Sequence, residues 1–174
     1  MLTSIRPVIS AKLAHPFLFS SMNTGGSNGS AKIDNVGMNK KIGTGKRILL
    51  IEGNKLVKPM LEAMLNNMGF QTTAVSNGNQ ALNQLSVIKF DLILLDLDKP
   101  EEAGFEFIKN IAEHPPTFGT PPVIIARRAD DDKGREAKLD ALLRQGTIIS
   151  VMKKPIASQT FEAELNRLHG FGLL

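Results

Sequence analysis

The chain has 174 residues, of which 42% are hydrophobic and 22% charged, enough for one α/β domain with a buried core. It contains no cysteine, which excludes a disulfide framework, a zinc ribbon and a thiol nucleophile. The net charge of +4 is unevenly placed: residues 1–46 carry six basic residues and one acid, whereas residues 47–174 carry 15 basic residues and 16 acids. The second part is therefore nearly neutral, so we expect no nucleic-acid partner. We also expect no membrane partner, because no apolar run reaches the roughly 18 residues of a membrane span.

Residues 1–45 are predicted to form a disordered leader. Residues 20–32 are rich in Gly, Ser and Asn, and they cannot bury enough apolar surface to offset the entropy of ordering them. Residues 1–19 contain Arg6 and Lys12 but no acid, a bias shared with organellar transit peptides. Organellar import is thus a minority alternative to a flexible leader, and a translation start at Met22 would remove most of the leader from consideration.

From residue 46 the sequence alternates between short apolar runs and helical periodicity. Residues 47–51 predict a strand and residues 56–68 a helix. Residues 70–75 predict a second strand, after which Asn77 and Gly78 turn into a second helix. Residues 90–95 (FDLILL) predict a third strand, which is apolar enough to be covered on both faces of a parallel sheet.

The predicted first helix carries an apolar stripe. Leu56, Met60, Met64 and Leu65 are expected on one helical face, and Met60, Met64 and Met68 recur at a spacing of four residues. We interpret the methionines as the core face of this helix, with a partner surface as the lesser alternative.

The second half of the chain continues the same alternation. After a loop at residues 97–104, the pattern predicts two further strands and three further helices: helix 105–113, strand 123–126, helix 135–144, strand 147–152 and helix 160–168. The acidic run at residues 130–132 is interpreted as a cap at a helix N-terminus rather than a cation loop.

These elements predict a flavodoxin-like (βα)5 fold, with a doubly wound, five-stranded parallel sheet over residues 46–169 and a tail at residues 170–174. Ligands of such sheets bind at the carboxyl ends of the strands. There the sequence places Glu52, Asp96, Arg127 and Lys154, after the first, third, fourth and fifth strands respectively. Two carboxylates can hold a divalent cation or accept a phosphoryl group, while an ammonium compensates the charge.

Over about residues 46–168 the sequence resembles a response-regulator receiver domain of two-component phosphorelays. The resemblance rests on three segments: ILLIEGN at residues 48–54, FDLILLDLDKP at residues 90–100, and KKP at residues 153–155. It implies that Asp96 is the phosphoacceptor and Lys154 the family's active-site lysine. It also implies that Glu52, Asp96 and the backbone carbonyl of Asp98 bind Mg²⁺, and that residues 100–104 form the loop after the acceptor.

Three positions depart from the family pattern. Gly53 stands where the family has a second acid, so Mg²⁺ binding is expected to weaken, and the side chain of Asp98 is the residue available to replace the lost charge. Arg127 stands where the family has a Ser or Thr that bonds the phosphoryl oxygen, with Arg128 in an alternative register. Its guanidinium could sit over Asp96. Val151 stands where many receivers have an aromatic switch residue.

The matches and departures leave two functions open. The first is a stand-alone receiver that accepts a phosphoryl group on Asp96 from a histidine kinase or a histidine-phosphotransfer protein; it is not an enzyme beyond weak self-catalysed phosphoryl transfer and dephosphorylation. The second is a phosphate-independent pseudo-receiver that acts as a protein-binding module. For either, the resemblance implies a monomer in the cytoplasm or nucleus. A third hypothesis, a small α/β enzyme or nucleotide-binding protein, has little support, because residues 43–46 (GTGK) precede the first strand and lack phosphate-loop spacing.

Overall fold

The computed structural model describes residues 41–97, 101–128 and 133–173. Five strands alternate with five helices along the chain. The strands are β1 (Arg47–Ile51), β2 (Gln71–Val75), β3 (Leu92–Asp96), β4 (Val123–Arg127) and β5 (Ser150–Lys153). The helices are α1 (Val57–Asn67), α2 (Gly78–Val87), α3 (Glu101–Glu113), α4 (Lys133–Gln145) and α5 (Ser158–Gly170).

All four strand pairings are parallel, and the strand order is β2-β1-β3-β4-β5. The chain passes from β1 to β2 on one side of it and then crosses to β3, which pairs with β1 on its other side. The direction in which strands are added therefore reverses, and the switch point lies between β1 and β3. This reversal creates the crevice at the carboxyl ends of the strands in which doubly wound folds place their ligands. The predicted flavodoxin-like fold is confirmed.

The sheet separates two apolar layers, because successive side chains of a strand point to opposite faces. On one face Leu49, Ile93 and Ile125 pack with residues of α2, α3 and α4. On the other face Ile48, Leu94 and Met152 pack with residues of α1 and α5. This alternation continues to the strand ends, where it determines the direction in which each polar side chain leaves the sheet.

The phase of α1 differs from the prediction. Its buried residues are Leu61 and Leu65, continued by Met68, whereas Met60 is 71% exposed and Leu56 is also exposed. Met60 precedes Leu61 by one position, which turns its side chain about 100° away from the buried stripe. The prediction that Met60 belongs to the core is therefore wrong, while Met68 does lie there and Met64 is half-buried.

Two element boundaries differ from the predicted ones by three residues or more. α3 begins at Glu101 instead of residue 105. Gly104 belongs to this helix and does not end a loop; a Cβ there would lie 2.5 Å from Leu97 Cδ1, so the glycine permits close packing against the chain after β3. β5 begins at Ser150 instead of residue 147, because the N–H groups of Thr147 and Ile148 donate to the carbonyl of Leu142 and complete the end of α4.

Residues 41–45, which the sequence assigns to the leader, form a turn against the domain. The N–H of Gly43 donates to the carbonyl of Met68 at 3.0 Å, and Ile42 packs at the edge of the core formed with α1 and α5. The remainder of the predicted leader, residues 1–40, lies outside the described residues. Within the described ranges, no helix is long and apolar enough to cross a membrane.

Candidate functional site

Three charged side chains converge at the carboxyl ends of the strands because they share one face of the sheet. Glu52 continues the alternation of Ile48 and Leu50, and Asp96 continues that of Leu92 and Leu94. Lys154 continues from Met152 in the same way. All three therefore leave the sheet on the side of α1 and α5. Parallel pairing then brings residues that are up to 102 positions apart in sequence into contact.

Lys154 connects the two carboxylates. Its Nζ lies 2.6 Å from Oδ1 of Asp96 and 3.4 Å from Oε2 of Glu52. The backbone N–H of Lys154 donates to the carbonyl of Arg127 at 2.7 Å, which extends the β4–β5 pairing by one residue. This bond fixes the position of the lysine backbone relative to β4. The ammonium thus faces both acids from a position set by the sheet.

Glu52 is held in place from two sides. Its side chain is 0% exposed, and Oε1 accepts the N–H of Asn54 at 2.8 Å while Oε2 faces Lys154. The side-chain oxygen of Asn54 accepts the N–H groups of Leu56 and Val57, so Asn54 also organises the start of α1. Both oxygens of Glu52 are therefore engaged by donors before any ligand arrives.

The electrostatics of Asp96 follow from this crowding. Burial raises the pKa of Asp96 from 3.8 to about 7; the hydrogen bond from Lys154 opposes the rise, and the adjacent Glu52 carboxyl adds to it. The site thus places a carboxyl group with a raised proton affinity beside a fixed lysine. Such a group can act as a nucleophile in its ionised form, with its charge balanced by the ammonium.

Arg127 follows the other alternation. It continues from Val123 and Ile125, so it leaves β4 on the face of the sheet that packs with α2, α3 and α4. Its side chain is 4% exposed and forms an ion pair with Glu136 in the first turn of α4, while Nη1 donates to the carbonyl of Arg128. The structure therefore brings Glu52, Asp96 and Lys154 together, and it gives Arg127 a partner on α4.

The remaining positions considered for the site are Asp98, residues 130–132, Gly53 and Val151. Asp98, whose carbonyl was expected to bind the metal, and the acidic run at residues 130–132 lie outside the described residues. Gly53 is exposed beside Glu52, and Val151 is half-buried at the edge of the core formed with α2, α3 and α4.

Sequence reasoning missed two residues that shape the site. Asn54 enters the family resemblance only as part of a motif, yet an Asn three residues before the first helical residue, Val57, is a recognisable turn signal. Glu136 was not identified from the sequence, although it is an acid in the first turn of a predicted helix, where negative charge is favourable. Its pairing with Arg127 also required the phase of α4, which the weakly apolar pattern of that helix did not define.

The family model for the response regulator receiver domain matches residues 48–166, which is more than half of the chain. The chain therefore belongs to the receiver domain family, and the resemblance found in the sequence is confirmed. Receiver domains are the phosphoacceptor modules of two-component signal transduction rather than classical enzymes, and they interact with histidine kinases or phosphotransfer proteins.

Individual relatives agree with this assignment. The chain is 30% identical over 122 residues to the transcriptional regulatory protein CrdR of Helicobacter pylori, covering 70% of this chain and 54% of CrdR. The chain thus spans about half the length of that curated relative. It is 29% identical over 116 residues to the polar-differentiation response regulator DivK of Brucella anthropi, covering 67% of this chain and 89% of DivK.

A solved structure also resembles this fold. The receiver domain of the sensor histidine kinase PA1611 from Pseudomonas aeruginosa superposes with a TM-score of 0.60 at 27% identity, covering 73% of this chain and 99% of that domain. That structure is described with a magnesium ion coordinated in its active-site cleft.

The described residues of this chain supply few of the oxygen ligands that a magnesium ion needs. Mg²⁺ requires a near-octahedral set of oxygen ligands. Among the residues with described positions, no group of three or more His, Asp or Glu side chains is placed to hold a metal. Two carboxylates, Glu52 and Asp96, are available, and Lys154 contacts both of them.

Proposed function

We propose that this receiver accepts a phosphoryl group on Asp96 from a phosphohistidine of a histidine kinase or a histidine-phosphotransfer protein. The observation that carries the proposal is the contact of 2.6 Å between Asp96 and Lys154 at the carboxyl ends of the strands. A carboxylate held by one ammonium in a mostly buried position is a nucleophile of defined orientation.

The transfer can be written with Asp96, Lys154 and Glu52 of this chain and the phosphohistidine of the partner protein. An Oδ of ionised Asp96 attacks phosphorus and the P–N bond of the phosphohistidine breaks. The electron pair of that bond returns to the imidazole nitrogen, which takes one proton from solvent water and leaves as neutral histidine. The product is an acyl phosphate on Asp96. Lys154 compensates the negative charge on the transferred oxygens, and Glu52 holds the lysine from its other side. Slow self-catalysed loss of the phosphoryl group to water is expected for the acyl phosphate.

The relatives that match this chain differ in the share of their length that the match covers. The match covers 89% of DivK but only 54% of CrdR. The extent of the DivK match supports the stand-alone arrangement, in which the domain passes or drains phosphoryl groups. A monomeric state and a cytoplasmic location stay predictions. The place of Arg127 beside the phosphoryl group stays a prediction. In the structure its guanidinium contacts Glu136 and the carbonyl of Arg128.

A second candidate function is the phosphate-independent pseudo-receiver. The specific observation in its favour is the Arg127–Glu136 ion pair, which joins β4 to α4 at the position where the family carries the switching hydroxyl. A fixed connection of that kind favours one arrangement of α4 without a phosphoryl signal. In this function the domain binds a protein partner in the same way whether or not Asp96 is modified.

Phosphoryl labelling separates the two candidates. The protein is incubated with a phosphorylated histidine-phosphotransfer protein and, separately, with phosphoramidate, a small donor that carries the same P–N bond. Wild type is expected to gain the mass of one phosphoryl group, and Asp96→Asn is expected to gain none. Asp140→Asn is the matched control, because Asp140 is an exposed carboxylate on α4, and it should label as wild type does. No label on wild type from either donor, or equal label on Asp96→Asn, would contradict phosphoryl acceptance by Asp96.

A further inference from the structure

Helix α4 makes few apolar contacts with the sheet for its length of 13 residues. Leu139 is its buried apolar side chain, and Leu142 is half-buried against the core formed with α2 and α3. α5 has the same length and buries three apolar side chains, Phe161, Leu165 and Leu168. Because tertiary packing supplies most of the stability of a helix in a protein, apolar contacts hold α4 less firmly than α5.

A charged contact holds the first turn of α4. Arg127 is the last residue of β4, its side chain is 4% exposed, and it forms an ion pair with Glu136 of that turn. β4 is paired with β3 on one side and with β5 on the other, so the sheet fixes the backbone that carries the guanidinium. Removing the carboxylate from a buried cation is strongly unfavourable, and this penalty opposes any movement of Glu136 away from β4.

The last turn of α4 is connected to the same strand. The N–H of Thr147 donates to the carbonyl of Leu142 at 3.0 Å, which closes the end of the helix. Two residues later, the N–H of Ile149 donates to the carbonyl of Val123 at the beginning of β4. β4 therefore positions both ends of α4, one through a side-chain ion pair and the other through the backbone.

Asp96 and the ion pair lie on opposite sides of the sheet. Asp96 is opposite Ala126 in the β3–β4 pair, and Arg127 is the next residue of β4, so its side chain leaves the other face. A phosphoryl group on Asp96 would extend from the face covered by α1 and α5. It would reach α4 only if the guanidinium left Glu136.

Val151 offers no second route to α4. It is half-buried against the core that contains Leu139 of α4. Its β-branched side chain has restricted rotation about χ1 and no ring that could turn between an inward and an outward position. The position next to the ion pair in the sheet therefore adds packing and not a movable group.

We infer that the Arg127–Glu136 ion pair, and not the modification state of Asp96, sets the position of α4. Arg127 is thus a positioning residue for this helix, and the outer face of α4 is the same before and after phosphoryl transfer. The inference deepens the proposed functions by assigning the control of α4, and it rests on phosphoryl acceptance only where modified and unmodified protein are compared.

Amide hydrogen exchange followed by NMR tests the role of the ion pair. Glu136→Gln is expected to speed exchange of the α4 amides at least about tenfold, while the α5 amides change less than about twofold. Asp140→Asn is the matched control, because it removes an exposed carboxylate from the same helix, and it should exchange as wild type does. Equal α4 exchange in folded Glu136→Gln and wild type would overturn the inference.

Arg127→Met keeps the test valid if Glu136→Gln does not fold. It should also speed exchange in α4, and the double variant should exchange no faster than the faster single variant, because both changes remove one interaction. Additive effects of the two substitutions on α4 would overturn the inference.

The role of Asp96 is tested on wild type kept in excess phosphoramidate and Mg²⁺, with Mg²⁺ alone as the reference and mass spectrometry to measure modification. Modified protein should show amide shifts around Asp96 and Lys154 but unchanged shifts and exchange across residues 136–145. Asp96→Asn, which alters the site without a donor, should likewise leave exchange of these amides unchanged. Shifts along α4 in modified wild type would overturn the inference. Absence of the added mass would contradict phosphoryl acceptance instead, and the exchange of Glu136→Gln would still decide whether the ion pair holds α4.

Discussion

The charge of Asp96 has a measurable cost to the stability of the fold. Burial raises the pKa of this carboxyl from 3.8 to about 7, so ionising it at neutral pH is unfavourable in the folded chain despite the contact with Lys154. Asp96→Asn replaces the carboxylate by a neutral group of the same shape. The amide can still accept a hydrogen bond from Lys154 and donate one to Glu52. We therefore expect Asp96→Asn to be more stable than wild type at neutral and mildly alkaline pH.

The size of the effect follows from the two pKa values. Each tenfold change in proton affinity corresponds to about 1.4 kcal/mol, so values of 3.8 and about 7 set a ceiling of about 4 kcal/mol above pH 7. The strand ends open toward solvent, which screens part of this cost, and the neutral amide loses the charge-assisted bond from Lys154. We expect about 1–2 kcal/mol of net stabilisation.

The sign of the pH dependence is also fixed. A raised carboxyl pKa means that the folded chain binds more protons than the unfolded chain between about pH 4 and pH 7. The stability of wild type relative to Asp96→Asn therefore falls as the pH rises through that window. The advantage of the variant should shrink toward zero near pH 4, where Asp96 is protonated in the folded chain.

Urea unfolding of both proteins at several pH values, in the presence of EDTA, measures this difference. Asp140→Asn serves as the control, because it removes an exposed carboxylate from α4 and should leave stability nearly unchanged at every pH. The reasoning is refuted if Asp96→Asn is less stable than wild type near pH 8, or if the difference between the two proteins is the same at pH 4 and pH 8.

Three further perturbations test other parts of the structure by urea unfolding. Glu136→Gln should cost about 1–2 kcal/mol, because it leaves the buried Arg127 without its carboxylate, and a double-mutant cycle with Arg127→Met should show coupling; additive effects would contradict the ion pair. Hydrogen bonds from Arg167 lower the pKa of Glu164, so the contribution of Glu164 is present above pH 4.5 and lost below it, and Glu164→Gln should be less acid-sensitive than wild type. Gly43→Ala should cost about 1–3 kcal/mol, since its Cβ would lie 2.5 Å from the Phe70 ring, whereas Gly53→Ala should cost little.

The fold could be predicted from sequence because each signal was local and repeated. Five apolar runs and the helical patterns between them suffice for a doubly wound sheet, since crossover connections are right-handed. The phase of α1 could not be predicted in the same way. Leu56, Met60, Met64 and Leu65 form as regular a stripe as Leu61, Leu65 and Met68, and only packing against α5 and the sheet decides which is buried.

The site illustrates the same limit. Strand order places Glu52, Asp96 and Lys154 at one edge of the sheet, and it could be predicted from the sequence. Side-chain direction then decides which of the residues at that edge meet. Arg127 was grouped with these three residues by strand order without use of the alternation of β4, and in the structure its side chain pairs with Glu136 on α4. The period of two along a strand carries this information in the sequence itself, since Asp96 and Arg127 are one position out of phase across the β3–β4 pair, in which Asp96 lies opposite Ala126.

Two of the three departures from the family pattern, at Arg127 and Gly53, change the charge near the site, and we expect their effects to differ in size. A unit charge about 8 Å from a ligand is worth roughly 2 kcal/mol at an effective dielectric of about 20. Arg127 is paired with Glu136, so most of the effect of its positive charge on Asp96 is cancelled by the carboxylate. The cancellation is incomplete because the side chain of Glu136 is 45% exposed. Gly53 has no such compensation, since no described side chain replaces the carboxylate that the family pattern would provide beside Glu52. We therefore expect the loss at Gly53 to have the larger effect. It should weaken the attraction for a divalent cation and reduce the repulsion between Asp96 and an incoming phosphoryl group.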